Sequence, residues 1–85
     1  MIWHLYMLQC EDASLYTGIA LNVTRRLAQH RAGKGSKYVR SKGRIKLVYL
    51  ESHKTKSAVL RREREIKSWS RDKKLALVGD GQTRL

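Results

Sequence analysis

Ile2-Trp3-His4-Leu5-Tyr6-Met7-Leu8-Gln9-Cys10, the break Glu11-Asp12-Ala13-Ser14, and then Leu15-Tyr16-Thr17-Gly18-Ile19 decide how this chain folds. Two apolar, aromatic-bearing runs around a short polar stretch read as a β-hairpin, because strand formers bounded by turn formers pair locally. Gly18 falls inside the second run. A glycine there marks a bend or a close approach of the backbone to another group.

Downstream, Asn22 is a good N-cap and predicts a helix over 23–31. At about 100° per residue, Val23, Arg26, Leu27 and His30 share one stripe, while Arg25 faces away into solvent. Residues 31–44 (RAGKGSKYVRSKGR) hold three glycines and six Lys or Arg, and read as a basic loop with one irregular turn. Residues 45–51 (IKLVYLE) alternate as a third strand. Thr55 caps a helix to about Trp69, with Ala58, Val59, Ile66 and Trp69 on its apolar side. Ser70 caps a last short helix through Leu75 and Leu77, stopped at Gly79. The order is ββαβαα. It predicts an α+β domain over 1–79, a small and mostly antiparallel three-stranded sheet flanked by helices, with a tail over 80–85.

The chain has 85 residues, so it is one domain with a modest core, and no linker, repeat or proline divides it. Its single cysteine, Cys10, excludes an internal disulfide and argues against a Cys-based zinc site. Met1 to Cys10 is uncharged, but far shorter than the ~20 apolar residues of a membrane span, and it lacks the basic leader of a signal peptide. A cytoplasmic, membrane-free protein is therefore expected. Nineteen Lys or Arg against seven Asp or Glu give a net charge of +12, which favours polyanion partners, nucleic acid above all.

Several residue groups have chemistry within reach. Gly33-Lys34-Gly35-Ser36-Lys37 lacks P-loop spacing, yet such a basic loop suits backbone phosphates or is a solvated loop. Tyr6 and Tyr16, one on each hairpin strand, are ordinary strand aromatics or proton-transfer groups. Arg26 and His30 share a helical edge able to grip a phosphate, or are a snorkelling Arg and a boundary His. Glu63 and Glu65 lie in a strongly basic helix, either pairing with neighbouring cations or holding a hard divalent metal. Periodicity does not choose between the two glutamates. His4, Cys10, His30 and His53 have no zinc-ligand spacing.

In order and separation these pieces resemble the GIY-YIG nuclease superfamily, and within it the small single-domain bacterial members of the UPF0213 kind. His4-Leu5-Tyr6 stands for Gly-Ile-Tyr and Tyr16-Thr17-Gly18 for Tyr-Ile-Gly, with nine residues between the tyrosines. Residues 22–30 resemble the next family helix, whose essential arginine matches Arg26. Residues 33–38 resemble the loop of the small members, 47–51 the third strand, and 62–67 the helix whose metal-binding glutamate matches Glu63. The likeness covers residues 2 to 78. It implies an endonuclease that hydrolyses DNA with Mg²⁺ or Mn²⁺ on Glu63, with kinship suggesting repair or recombination. The alternative is a non-catalytic DNA- or RNA-binding module using the same basic face. Tyr6 is then the base for the attacking water, its phenol lowered by Arg26 and the metal. Tyr16 positions phosphate or water, Arg26 steadies the transition state, and His30 is a phosphate ligand or proton carrier. Gly18, Arg25, Lys34, Lys37, Arg40 and Lys67 are the expected phosphate contacts. With no appended domain in view, poor intrinsic sequence specificity is expected, or targeting by a protein partner or by self-association.

Overall fold

The hairpin forms as β1 (Trp3–Cys10) and β2 (Leu15–Ala20), antiparallel, with Tyr6 opposite Gly18 and Leu8 opposite Tyr16. The structure, a computed structural model, describes residues 1–35 and 37–81. At the turn, Cys10 N–H donates to Ser14 O and Ala13 N–H to Cys10 O, both at 2.9 Å. Asp12 Oδ1 accepts from Ser14 N–H at 3.0 Å and Ser14 Oγ–H at 2.6 Å, satisfying the turn locally. β3 (Ile45–His53) pairs antiparallel with the other side of β1, giving the order β2-β1-β3. β3 runs two residues past the predicted end, because Ser52 and His53 find partners in His4 and Trp3. Met7 faces Tyr49 and Leu8 faces Leu47, so Val48 is an extra residue, a bulge. Alternation in the sequence does not reveal it.

α1 (Val23–Arg31) starts where Asn22 Oδ1 accepts Arg25 N–H at 3.0 Å. The basic loop contains one helical turn, α2 (Lys37–Arg40), more regular than the irregular turn predicted. α3 (Lys56–Lys67) is capped by Thr55, whose Oγ1 accepts Ala58 N–H at 3.1 Å. It ends before Trp69, with Ser68 N–H donating to Glu65 O at 3.1 Å and Trp69 N–H to Ile66 O at 3.0 Å. Ser70 Oγ accepts Lys73 N–H at 3.2 Å and opens α4 (Arg71–Gly81). The predicted stop at Gly79 is a correction. Only Gly33 and Gly43 among the described glycines take a positive φ, so Gly79 stays within the helix rather than capping it, at a helical penalty of ~1 kcal/mol. The helix therefore continues two residues past the predicted stop, to Gly81, and residues 82–85 of the expected tail lie outside the described residues.

Strand alternation sends β1 side chains to two cores. Leu5 and Met7 pack with Val48, Tyr49, Val59 and Ile66, beneath α3 and α4. Tyr6 and Leu8 pack with Ala20 and Val39, with Val23 and Leu27 of α1 against them. Each fully buried Leu, Met, Val or Ile contributes roughly 1.5–3 kcal/mol, so the central strand anchors both layers. Among the described residues no helix is long and apolar enough to cross a membrane.

Candidate active site

Tyr6 points into the α1 side of the sheet and is 1% exposed. Its ring lies over the β2 backbone at its direct partner, Gly18. A Cβ on Gly18 would stand 2.6 Å from Tyr6 Cζ and Oη and 3.1 Å from Tyr16 Cε2. The close approach expected at this glycine is therefore made by a phenol. Tyr16 sits one strand pair away, its ring centroid 6.3 Å from that of Tyr6.

The stripe read on α1 brings Arg26 and His30 to the same place, and Arg25 is exposed as predicted. His30 is 4% exposed, and its Nε2 lies 2.9 Å from Tyr6 Oη. Its Nδ1 is buried without a hydrogen-bond partner. One proton lies between the two atoms: Tyr6 O–H donates to an unprotonated Nε2, or Nε2–H donates to the Tyr6 oxygen, according to the tautomer. Burial, with Arg26 adding repulsion, holds the imidazole below its ordinary pKa, so it is neutral at pH 7. Tyr16 packs its ring edgewise on the imidazole at 5.4 Å.

The guanidinium of Arg26 donates to Gln29 Oε1 at 3.1 Å and to Gly35 O at 3.4 Å. Its charge also pulls the Tyr6 phenol's pKa down, but burial outweighs it and the phenol is raised. Of the two charges expected to lower this phenol, Arg26 does act in that direction, but desolvation of a phenolate in this packed face is the larger effect. Gly35 has no role on sequence spacing, yet a Cβ there would be 2.4 Å from His30 Nδ1. Its backbone touches both His30 and Arg26. The only sequence signal is a glycine in the basic loop five residues after the histidine.

Structure separates the two glutamates that periodicity leaves equal. Glu65 is 54% exposed and pairs with Arg62. Glu63 is 20% exposed, on the α3 stripe between Val59 and Ile66, and its charge acts on Tyr6. Its carboxylate meets Lys67 Nζ at 3.2 Å, so Lys67 arrives with an acidic partner. Lys34, Lys37 and Arg40 are exposed on the loop that follows α1. The structure therefore gathers Tyr6, Tyr16, Gly18, Arg26 and His30 by direct contact and brings Glu63 within electrostatic reach. It leaves Arg25 and the loop cations on the surface. Among the described residues no three His, Cys, Asp or Glu side chains converge as a metal cage.

Residues 2–76 match the GIY-YIG catalytic domain family. The chain is 51% identical over 77 residues to a UPF0213 protein of Natronomonas pharaonis, covering 91% of each. It is 45% identical over 78 residues to one of Staphylococcus saprophyticus, covering 92% of this chain and 95% of that one. The solution NMR structure of a UPF0213 protein from Bacillus halodurans aligns over 96% of this chain and 87% of its own, with a TM-score of 0.65 and 40% identity.

Proposed function

The chain belongs to the family of GIY-YIG catalytic domains, and from that premise we propose that it is a divalent-metal-dependent endonuclease acting on DNA phosphodiester bonds. The observation that carries this reading is the polar cluster on the α1 face. Two phenols, a neutral imidazole and a fixed guanidinium are packed together in a protein with a net charge of +12. A module that merely binds nucleic acid has no use for a buried Tyr6–His30 hydrogen bond, or for a half-buried carboxylate within electrostatic reach of it.

Glu63 fits Mg²⁺ or Mn²⁺, which are held by one or two carboxylates while retaining waters and taking substrate phosphate oxygens. It does not fit zinc, which takes three or four protein ligands. When bound, the ion supplies positive charge at a nonbridging phosphate oxygen and at the leaving oxygen. Arg26, immobilised by Gln29 and Gly35, presents a planar fork to the developing phosphorane charge. When Tyr6 is ionised, His30 Nε2–H donates to its oxygen and the positive charge of Arg26 adds to it, and both stabilise the phenolate. Tyr6 thereby accepts the proton of the attacking water once further positive charge offsets the cost of burial. His30, screened from solvent, holds the Tyr6 oxygen rather than gripping phosphate. Tyr16 walls the imidazole and faces the substrate.

The test is nicking of supercoiled plasmid and of a labelled branched oligonucleotide with Mg²⁺ or Mn²⁺, wild type beside Glu63→Gln. Metal-dependent nicking that the variant loses, with DNA binding kept, supports the reading. Binding without cleavage by the wild type in either metal overturns it in favour of a non-catalytic module.

A further inference from the structure

His30 has a second side. The ring that holds Tyr6 also forms the inner wall of an open cleft of about 530 Å³, between the end of α1, α2 and the start of β3. That volume is within the ~300–1,000 Å³ range of small-molecule sites. Arg31, Arg40 and Arg44 line it, with Glu11 and Ile45. None of the three arginines forms an ion pair with an acid among the described residues. The available carboxylates are used elsewhere: Asp12 by Lys42, Glu51 by Arg62, Glu63 by Lys67. Three exposed guanidinium groups around one hollow, against the single carboxylate of Glu11, leave it with net positive charge that favours an anion.

The cleft is more than a phosphate hole. Glu11 Oε2 accepts Arg44 N–H at 3.1 Å, which fixes the carboxylate on the cleft wall and leaves it further acceptor capacity. A lone phosphate would leave that carboxylate without a further donor. A nucleotide would not: its phosphate meets the arginines, its base lies along Ile45 and a guanidinium face, and an exocyclic amino group donates to Glu11. A neighbouring hollow of about 390 Å³, lined by Lys34 and Lys37, shares Gly33 and Arg40 with the cleft. Together they form one basic trough along which a strand can continue. Gly33 and Gly43, both with positive φ, shape the backbone of its rim.

We infer that this cleft binds one nucleoside monophosphate unit of an unpaired strand, beside the Tyr6–His30 pair. A stacked, paired nucleotide cannot place its base there, so the site favours DNA with an unpaired end, flap or gap over continuous duplex. The substrate preference rests on the nuclease reading above, whereas the nucleotide site does not.

The probes are dCMP, deoxycytidine and inorganic phosphate, titrated into isotope-labelled protein and followed by backbone amide shifts. dCMP is expected to move Arg31, Gly33, Gly43 and Arg44 in a saturable way and to bind at least tenfold more tightly than phosphate or deoxycytidine. Arg44→Ala and, independently, Arg31→Ala should each weaken dCMP about tenfold or more, the scale of one charge-assisted contact. Equal binding of phosphate and dCMP overturns the nucleotide assignment. Shifts confined to Tyr16 and Arg26 place the ligand elsewhere and overturn the cleft. Glu63→Gln keeps the two readings apart. If the wild type binds dCMP in the cleft yet cuts nothing, the nuclease reading fails alone. If it cuts but the cleft stays silent, this inference fails alone. If it cuts and binds, a flap should be cut at least tenfold faster than the matched duplex, and equal rates refute the substrate preference.

Discussion

Replacing Gly18 with alanine isolates the contact on which the site depends. Gly18 has an ordinary φ, so alanine adds no backbone strain and gains roughly 0.4–1 kcal/mol from a stiffer unfolded chain. Against this, the new methyl stands 2.6 Å from Tyr6 Cζ and Oη, where ordinary contact begins near 3.4 Å. The phenol must retreat by about 0.8 Å. It is buried in a packed face, so overpacking costs roughly 1–3 kcal/mol. The retreat also takes the 2.9 Å Tyr6–His30 hydrogen bond out of range, unless the imidazole follows. Gly35 prevents that, because the histidine already rests on it. The net expectation is a loss of about 1–2 kcal/mol, or ~4–16 °C in Tm for a domain of this size. Cleavage under single-turnover conditions should fall ~100-fold, as for other misplacements near 1 Å. Gly79→Ala is the control. It lies in α4 with nothing within 4 Å of the new methyl, and should stabilise by about 0.5–1 kcal/mol without touching activity. A Gly18→Ala protein with wild-type Tm and wild-type nicking would refute the idea that Tyr6 is held by contact with the β2 backbone.

Thr55→Ala removes the acceptor for Ala58 N–H and should cost ~1 kcal/mol, a Tm loss of about 4–8 °C by calorimetry. His30 has a folded pKa below its unfolded value of about 6.5, so the unfolded chain takes up the proton first. Stability should therefore decline as pH falls below ~6.5 and level off beneath the folded pKa. Tm measured from pH 7.5 to 5 should show this limb in the wild type and a flatter one in His30→Asn. Equal slopes would remove His30 from the explanation. DNA affinity should fall linearly in log–log form with salt, by about 0.9 per neutralised duplex phosphate, and Lys34→Ala should lessen the slope by about one. A flat response would contradict phosphate contact by the loop.

The hairpin, its partner strand and both major helices are legible in the sequence because each is announced locally: alternating apolar runs, Asn22 and Thr55 as caps, Ser70 before the last helix. The Arg26/His30 stripe follows from helical geometry alone. What escapes is set by tertiary contact. The Val48 bulge exists because both Val48 and Tyr49 are buried, which breaks alternation without a turn residue to mark it. Gly79 reads as a stop, but a glycine in an ordinary helical conformation leaves no local mark distinguishing it from a cap. The choice of Glu63 over Glu65 depends on which side of α3 meets the sheet. The raised phenol of Tyr6 depends on burial that counting charges overlooks. Gly35 matters only through what lies against it.

The strand order has a consequence in time. Tyr6, Tyr16, Gly18, Arg26, His30 and Gly35 all lie in one stretch of 30 residues, whereas Glu63 comes 28 residues later. A ribosome adding roughly 5–20 residues per second exposes the hairpin and α1 seconds before α3 leaves the exit tunnel, and a hairpin closes in microseconds. Until β3 emerges, β1 is an open edge rather than a centre. The newborn chain is already cationic and already carries its phenols, but it lacks the carboxylate that the proposed hydrolysis requires. Synthesis thus delivers affinity for polyanions first and the capacity to cut them last.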